Sequence, residues 1–242
     1  MLVLALDSST RTGSIALARD GQVIASRVGE ASVRHAVRLP GDLVALLASH
    51  GHDLGDVDLL AAAAGPGGFT GLRVGLATMQ GLAMALGRRV FVASTLDLLA
   101  AAAHAAAPHA HWIGPWMHGM RGEVFTALYH RTAGEMGVAP VVPAFVGTPL
   151  EAAQAWARVA PEDRVVVIGD AWPEASAALI TVLGDTLDPV PAPPLAEVLA
   201  LEAGRRAAEA VVPAAVRPAY VRRPDAVLTR LQAGRPVGGD LA

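Results

Sequence analysis

The sequence contains no cysteine, no lysine and no asparagine. Without cysteine, disulfides, thiol catalysis, iron–sulfur clusters and cysteine zinc sites are excluded. Because all 19 basic residues are arginine, a P-loop lysine, a Schiff-base lysine and a lysine general base are excluded as well. The formal net charge is −3 and no broad basic run occurs, so tight nucleic-acid binding by this chain alone is not favoured.

Long apolar runs are also missing. The chain is 53% hydrophobic with a mean hydropathy of +0.43, but much of that excess is alanine. Its longest apolar runs, residues 59–64 and 98–107, fall short of the ~18–20 residues that a membrane-spanning helix needs. The amino-terminal segment reaches Asp7 without a basic region or a small-residue cleavage site. We therefore expect no membrane association and a cytoplasmic location.

The first half of the chain shows strand and helix patterns in the order β-β-β-α-β-α-β-α. Asp20 and Gly21 form a hairpin signal between the second and third strands, and Pro40 predicts a kink or break in the first helix. The predicted strands are 2–6, 14–18, 23–28, 57–64 and 90–93, and the predicted helices are 33–47, 72–86 and 95–107. Three antiparallel strands followed by crossover units indicate a mixed sheet with helices on its faces.

The second half is less regular. Its predicted strands are 112–116, 124–129 and 165–168, and its predicted helices are 151–159, 172–183 and 196–211. The proline-rich segments 140–149 and 189–194 are interpreted as connections, and the arginine-rich tail from residue 213 as extended chain.

A polar segment, Asp7-Ser8-Ser9-Thr10, follows the first strand directly. A carboxylate at a strand end with clustered hydroxyls can orient phosphate oxygens and the waters of Mg²⁺. The same residues also form ordinary Asx and Ser/Thr turns. The residues alone favour the turn and leave the phosphate site open.

A glycine-rich loop, Gly65 to Gly71, precedes the second helix. Its backbone could approach an anion closely at the helix start, but it fits neither G-x-x-x-x-G-K-[ST] nor G-x-G-x-x-G. The alternative is a tight strand-to-helix turn in which Thr70 is the helix N-cap.

The helix that follows, residues 72–86, has almost no polar face. Such a helix must be covered on all sides, and small residues four positions apart, such as Gly71 and Gly75, let a second helix approach closely. The covering element is either part of this chain or a partner that binds an exposed apolar surface.

The histidine pairs His50/His52 and His109/His111 have no acidic or cysteine partners at metal-ligand spacing. They match neither H-E-x-x-H nor an i, i+4 helical pair, so we interpret them as surface loop residues. No residue stands out as catalytic, and no metal site is predicted.

Five segments together resemble the TsaB/YeaZ family, in the TsaB/TsaD branch of the actin-like ATPase superfamily. They are LALDSSTRTGSIAL, SVRHAVRLPGDLVALL, AAAAGPGGFTGLRVGLATMQGLA, RGEVFTALY and RPAYVR. The third is very similar to the family signature GPGSFTGLRIG, with Gly68 in place of serine. The family's Asp-Ala-Arg before RGEV is His118-Gly119-Met120 here, so no role of that aspartate is carried over.

The resemblance implies an α/β, actin-like (ribonuclease H-like) fold of two subdomains, residues 1–108 and 109–242, each a mixed sheet flanked by helices. It implies a non-catalytic subunit that binds a TsaD-type catalytic subunit and a TsaE-type ATPase. In such a complex, threonylcarbamoyl is transferred to the tRNA adenosine next to the anticodon, and tRNA is a partner of this chain through the complex. A homodimer of the isolated chain is the other assembly that the resemblance allows.

The family's dimerisation surface is built from its first two helices, which assigns partner contacts to residues of both. These residues are Val33, Val37, Leu43, Leu47, Thr70, Leu72, Arg73, Leu76, Met79, Gln80 and Ala83. Asp7, Ser8, Ser9 and Thr10 are the residues expected to face a phosphate or nucleotide. The chain itself is expected to require no cofactor, with ATP or ADP and Mg²⁺ at the interface with the catalytic partner.

The alternative function is an ATP-dependent small-molecule kinase or nucleotide hydrolase of the same superfamily. It would need a second phosphate loop, usually Asp-x-Gly-Gly, in the carboxyl-terminal half. The segment from Gly169 contains Asp170 but no following glycines. A metallopeptidase is disfavoured because no suitable histidine–glutamate spacing occurs.

Overall fold

A computed structural model describes residues 1–133, 137–159 and 164–221 of the protein. Within these ranges the chain forms two five-stranded mixed sheets and six α-helices. The strands are β1 (Leu2–Asp7), β2 (Ser14–Arg19), β3 (Gln22–Val28), β4 (Leu59–Gly65), β5 (Val90–Ser94), β6 (Trp112–His118), β7 (Val124–Arg131), β8 (Val138–Gly147), β9 (Val165–Ile168) and β10 (Leu187–Val190). The helices are α1 (His35–Ala48), α2 (Phe69–Leu86), α3 (Thr95–Ala106), α4 (Pro149–Ala157), α5 (Trp172–Leu183) and α6 (Leu195–Arg205).

The first sheet has the strand order β3-β2-β1-β4-β5. β1 is antiparallel to β2 and parallel to β4, and both β1 and β4 are buried along their whole length. This explains their continuous apolar runs, because a central strand is covered on both faces. Asp20 and Gly21 both have positive φ in the β2–β3 turn, as the hairpin signal predicted.

The second sheet repeats the topology of the first. Its order is β10-β9-β6-β7-β8, in which β6 is antiparallel to β7 and parallel to β9. Each half of the chain therefore reads β-β-β-α-β-α-β-α in sequence. This duplication, which no residue pattern reveals, confirms the predicted pair of mixed sheets flanked by helices.

The six α-helices form three layers that alternate with the two sheets. Helices α3 and α6 lie in the apolar core between the sheets, α1 and α2 cover the outer face of the first sheet, and α4 and α5 cover the outer face of the second. Trp116 and Trp156 meet edge to face, with ring centroids 5.3 Å apart, in the outer core of the second sheet. Among the described residues, no helix combines the length and hydropathy needed to span a bilayer.

Helix α6 comes after the second sheet in the chain but packs on β1 and β2 of the first. Beyond it, Val211 pairs with Val90 of β5, and Ala219 donates its N–H to the carbonyl of Ala64. The division into 1–108 and 109–242 stays a prediction, and its last part, residues 222–242, lies outside the described residues.

Two predicted connections are wrong. Segment 140–149 is mostly strand β8, where Pro140 and Pro143 are tolerated because β8 is an edge strand. Likewise, β10 at the other edge includes the start of the predicted linker 189–194. At Pro40 the sequence predicts a kink or a break, and helix α1 continues through this residue without a break. Pro40 is exposed, so solvent can satisfy the carbonyl that loses its N–H donor.

Candidate partner-binding surface

The glycine-rich segment packs directly on the loop between β1 and β2. Gly68 donates its N–H to the carbonyl of Ser9 at 2.8 Å, and a Cβ at Gly71 would lie 2.6 Å from the carbonyl oxygen of Ser8. Glycines 67 and 75 are equally confined by Ser9 and Ser8. The glycines thus allow the start of α2 to approach the loop, because any side chain there would displace it.

The same packing buries the residues predicted to face a phosphate. Asp7 is 2% exposed and accepts the N–H of Ser9 at 3.0 Å, and both Ser8 and Ser9 are buried. Only Thr10 is half-buried. In the isolated chain these three side chains are therefore buried beside the start of α2, and their predicted phosphate-facing role stays a prediction.

Burial raises the pKa of the Asp7 carboxyl above its ordinary value. The hydrogen bonds from Ser9 and the charge of His35 act in the opposite direction, and the negative charge of Asp170 adds to the rise. Asp170 follows β9 of the second sheet and accepts the backbone N–H of His118 at 2.9 Å. The ends of β1 and β9 are therefore close enough to interact electrostatically, which the sequence did not show.

Helix α1 is tied to the same loop by two side chains. His35 Nε2 lies 3.0 Å from the carbonyl oxygen of Thr10, and Arg38 donates to the carbonyl of Thr12. Arg38 also donates to Asp42 at 2.8 Å. These bonds set the position of α1 beside α2, so the β1–β2 loop supports both helices.

The outward surface of α1 and α2 is apolar and exposed. Val37 on α1 is 75% exposed and Met84 on α2 is 70% exposed. Small residues lie between the larger ones, so a second pair of helices could approach closely. We call this surface the α1–α2 face, defined by the exposed residues Val33, Val37, Val44, Phe69, Ala77, Gly81, Met84 and Ala85. Exposed apolar patches of this kind mark interaction sites.

An aromatic and guanidinium cluster borders the α1–α2 face at the start of α2. The guanidinium carbon of Arg73 lies 4.0 Å from the ring centroid of Phe69, and Arg73 Nε donates to the hydroxyl of Tyr220 at 2.8 Å. The rings of Phe69 and Tyr220 stack at 5.7 Å. Tyr220 reaches this place because the carboxyl-terminal segment crosses α2, where Gln80 Nε2 donates to the carbonyl of Pro213 at 2.7 Å.

The predicted interface residues fall into two groups. Val33, Val37, Thr70 and Arg73 are exposed and Gln80 is half-buried, so these remain predicted contacts. The other six are corrected to core residues, because they point toward the first sheet and are buried within the chain. They are Leu43, Leu47, Leu72, Leu76, Met79 and Ala83.

Sequence reasoning missed Val44, Phe69, Met84 and Tyr220 as surface candidates. Val44 and Met84 lie in helices whose apolar residues do not show which side meets the sheet. Tyr220 lies 147 residues from its partner Arg73, so no local pattern could have joined them. Thr70 is also not the N-cap of α2, because Gly68 occupies that position and the helix begins at Phe69.

The histidines follow the prediction in part. His50, His109 and His111 are exposed, whereas His52 is half-buried and lies 3.0 Å from Arg19 Nη2. His118 Nε2 lies 3.1 Å from a carboxylate oxygen of Glu174. Within the described ranges, no group of three acidic or histidine side chains is placed to hold a metal ion.

Comparison with known proteins decides the family. Residues 23–143 match the model of the family described as "TsaD: tRNA N6-adenosine threonylcarbamoyltransferase". The chain is 33% identical over 137 residues to the Bacillus subtilis "tRNA threonylcarbamoyladenosine biosynthesis protein TsaB", covering 55% of this chain and 57% of that protein. A solved structure, "YeaZ from Pseudomonas aeruginosa", is 28% identical with a TM-score of 0.71 and covers 90% of this chain and 99% of its own. The chain belongs to the TsaB/YeaZ family.

The fold is likewise the actin-like ATPase fold. Component A of the Acidaminococcus fermentans (R)-2-hydroxyglutaryl-CoA dehydratase superposes with a TM-score of 0.53 at 14% identity, over 86% of this chain and 99% of its own, which is a likeness of fold alone. The chain spans about half the length of the curated relatives that it matches. Their activity, substrates and partners are therefore carried to this chain only as proposals.

Proposed function

We propose that this chain is a TsaB-type accessory subunit in the formation of threonylcarbamoyladenosine in tRNA, and that it binds a TsaD-type catalytic subunit through the α1–α2 face. One observation carries the proposal: α1 and α2 leave about three quarters of Val37 and of Met84 exposed, and no element of the described residues covers them. The relatives named for threonylcarbamoyladenosine biosynthesis supply the pathway.

The relation between the two subunits supports pairing through these helices. The matched family model, residues 23–143, includes both α1 and α2. A TsaD-type subunit therefore carries equivalent helices. Two such pairs can pack across a pseudo-two-fold axis, in the way that equivalent patches meet in symmetric dimers.

The accessory role agrees with the state of the β1–β2 loop. In this chain Ser8 and Ser9 lie beneath the start of α2, so the loop supports the partner-binding helices. We expect the chain to hold the catalytic subunit in its active arrangement without contributing a reacting group. ATP or ADP with Mg²⁺ at the interface, a TsaE-type ATPase and tRNA bound through the complex stay predictions, as does the cytoplasmic location.

Reconstitution with each subunit omitted tests the function. Purified TsaD-type and TsaE-type subunits, the enzyme that makes threonylcarbamoyl-adenylate, ATP and unmodified tRNA are incubated with and without this chain. The modified nucleoside is then measured by mass spectrometry. We expect modification only when this chain is present. Equal modification in its absence would overturn the proposal, and micromolar binding of Mg²⁺-ATP to the isolated chain in calorimetry would support the kinase alternative.

A further inference from the structure

Helix α2 contains a single charged residue. Of its 18 residues, FTGLRVGLATMQGLAMAL, only Arg73 carries a charge. Arg73 is exposed and makes no ion pair with any residue of the described ranges. The acidic residue of α1, Asp42, is already engaged by Arg38 at 2.8 Å and by Arg27 at 3.6 Å. The outward surface of α2 therefore bears one positive charge that no neighbouring carboxylate is seen to balance.

The side chain of Arg73 is held in place at this border. Its guanidinium carbon lies 4.0 Å from the centroid of the Phe69 ring, within the range of a cation–π contact. Its Nε–H is used by the hydroxyl of Tyr220. The hydrogen bond uses the Nε–H and the ring contact lies against the guanidinium carbon, so the donors of the two terminal nitrogens stay available for a planar acceptor. A guanidinium fixed in this way loses little conformational entropy on binding.

A partner that covers the α1–α2 face would remove Arg73 from water. An unpaired charge buried at an interface costs several kcal/mol, whereas a carboxylate placed opposite it offsets that cost. The matching surface of the partner must then carry an acidic side chain near the start of α2.

We infer that Arg73, positioned by Phe69 and Tyr220, binds an aspartate or glutamate side chain of the TsaD-type subunit and so selects that subunit over a second copy of this chain. The inference rests on the proposed function. In a homodimer the two α1–α2 faces would meet as equivalent patches. Each copy would then bring its own Arg73, and neither copy would offer an unengaged carboxylate from α1 or α2 to bind it. A carboxylate is favoured over a phosphate because a surface this apolar matches a protein helix.

The test measures the affinity of the full chain for the purified TsaD-type subunit by calorimetry, at about 50 mM and about 500 mM NaCl. The variants are Arg73→Gln, which removes the charge, Arg73→Lys, which keeps the charge without the planar fork, and Tyr220→Phe, which removes the acceptor for Nε. Arg158→Gln is the matched control, because Arg158 is an exposed arginine at the carboxyl end of α4, a helix that covers the second sheet. Sedimentation of each variant alone measures self-association.

We expect Arg73→Gln to bind the subunit roughly 30-fold more weakly or worse at low salt, and to lose most of the salt dependence that the unaltered chain shows. Arg73→Lys should recover this affinity only in part, because it cannot bind a carboxylate through two donors. Tyr220→Phe should give a smaller loss that largely disappears in the Arg73→Gln background. Arg158→Gln should bind normally, and Arg73→Gln should not weaken self-association.

An affinity of Arg73→Gln within about threefold of the unaltered chain, with the same salt dependence, would overturn the inference and leave the proposed function standing. Normal binding of the subunit combined with lost binding of Mg²⁺-ATP to the complex would also overturn it, since the ligand of Arg73 would then be a phosphate. If the unaltered chain itself does not bind the subunit, the proposed function fails, and the inference with it.

Discussion

The backbone of Gly71 in α2 lies against the carbonyl of Ser8, so that a Cβ at position 71 would be 2.6 Å from the Ser8 oxygen. The same Cβ would be 3.0 Å from the ring of His35. Gly71 thus lies where α2, the β1–β2 loop and the start of α1 meet. Its contacts explain the glycine-rich segment as a packing device that sets the two helices of the α1–α2 face.

We expect Gly71→Ala to lower the free energy of unfolding by about 1–3 kcal/mol, because the added methyl group meets a backbone atom that cannot rotate away. Urea unfolding of the isolated chain measures the change. Gly81→Ala is the control in the same helix. Position 81 has no atom within 4 Å of an added Cβ, so alanine there should stabilise by about 0.4–1 kcal/mol. Equal effects at the two positions would refute the packing role.

A second prediction concerns the buried carboxyl of Asp7. Asp7→Asn keeps an acceptor for the Ser9 N–H but removes a charge that burial disfavours, so the variant should be more stable than the unaltered chain at pH 7. The folded-state pKa of Asp7 is raised, so its protonated form stabilises the fold fully below the unfolded pKa of about 3.9. That contribution is lost as pH rises through the folded pKa.

The difference in stability between Asp7→Asn and the unaltered chain should therefore be largest at neutral pH and shrink toward pH 4. Urea unfolding of both proteins at several pH values checks this. A variant that is less stable at pH 7, or a difference independent of pH, would show that the Asp7 carboxylate is needed in its charged form.

A third prediction concerns Tyr129, whose hydroxyl donates to Asp97 at 2.6 Å between β7 and α3. Tyr129→Phe should destabilise the chain by about 1–3 kcal/mol, because Asp97 loses its buried donor. Burial raises the pKa of Tyr129 far above its ordinary value, with the Asp97 charge adding to the rise. Its contribution to stability is thus present below about pH 10 and lost as pH rises further.

Unfolding between neutral and strongly alkaline pH should show a fall in stability that is shallower in Tyr129→Phe. Tyr220→Phe is the control at pH 7, since Tyr220 is exposed and its removal should change the free energy of unfolding by at most about 0.5 kcal/mol. A steep alkaline fall that persists unchanged in Tyr129→Phe would assign that fall to another group.

Much of the fold was predictable from local pattern. Strands β1 and β4 are continuous apolar runs, and α2 lies between glycines, so their residues specify the type of each element and its approximate place. Strand β8 was missed because Pro140 and Pro143 suggest a loop wherever the edge position of a strand is unknown. The two sheets have the same topology, but the two halves of the chain share no residue pattern from which this repeat could be predicted.

The candidate site was predictable only as a region. The apolar residues of α2 surround the helix, so the sequence could not show that Leu76 and Met79 face the sheet while Met84 faces solvent. Nor could it show that the glycines press on Ser8 and Ser9, or that Tyr220 returns to Arg73. These relationships join segments that are distant in sequence. The family resemblance predicted which helices form the surface, but not which of their residues are exposed on it.

The most direct test of the α1–α2 face as the partner-binding surface is the affinity of the full chain for the purified TsaD-type subunit, measured by calorimetry for Val37→Asp and Ile180→Asp. Val37 lies on the α1–α2 face. Ile180 is 51% exposed and lies on α5, which covers the outer face of the second sheet. We predict that Val37→Asp weakens binding by about tenfold or more, because its carboxylate would be buried against apolar side chains, and that Ile180→Asp binds normally. Normal binding by Val37→Asp, or an equal loss in Ile180→Asp, would contradict the account.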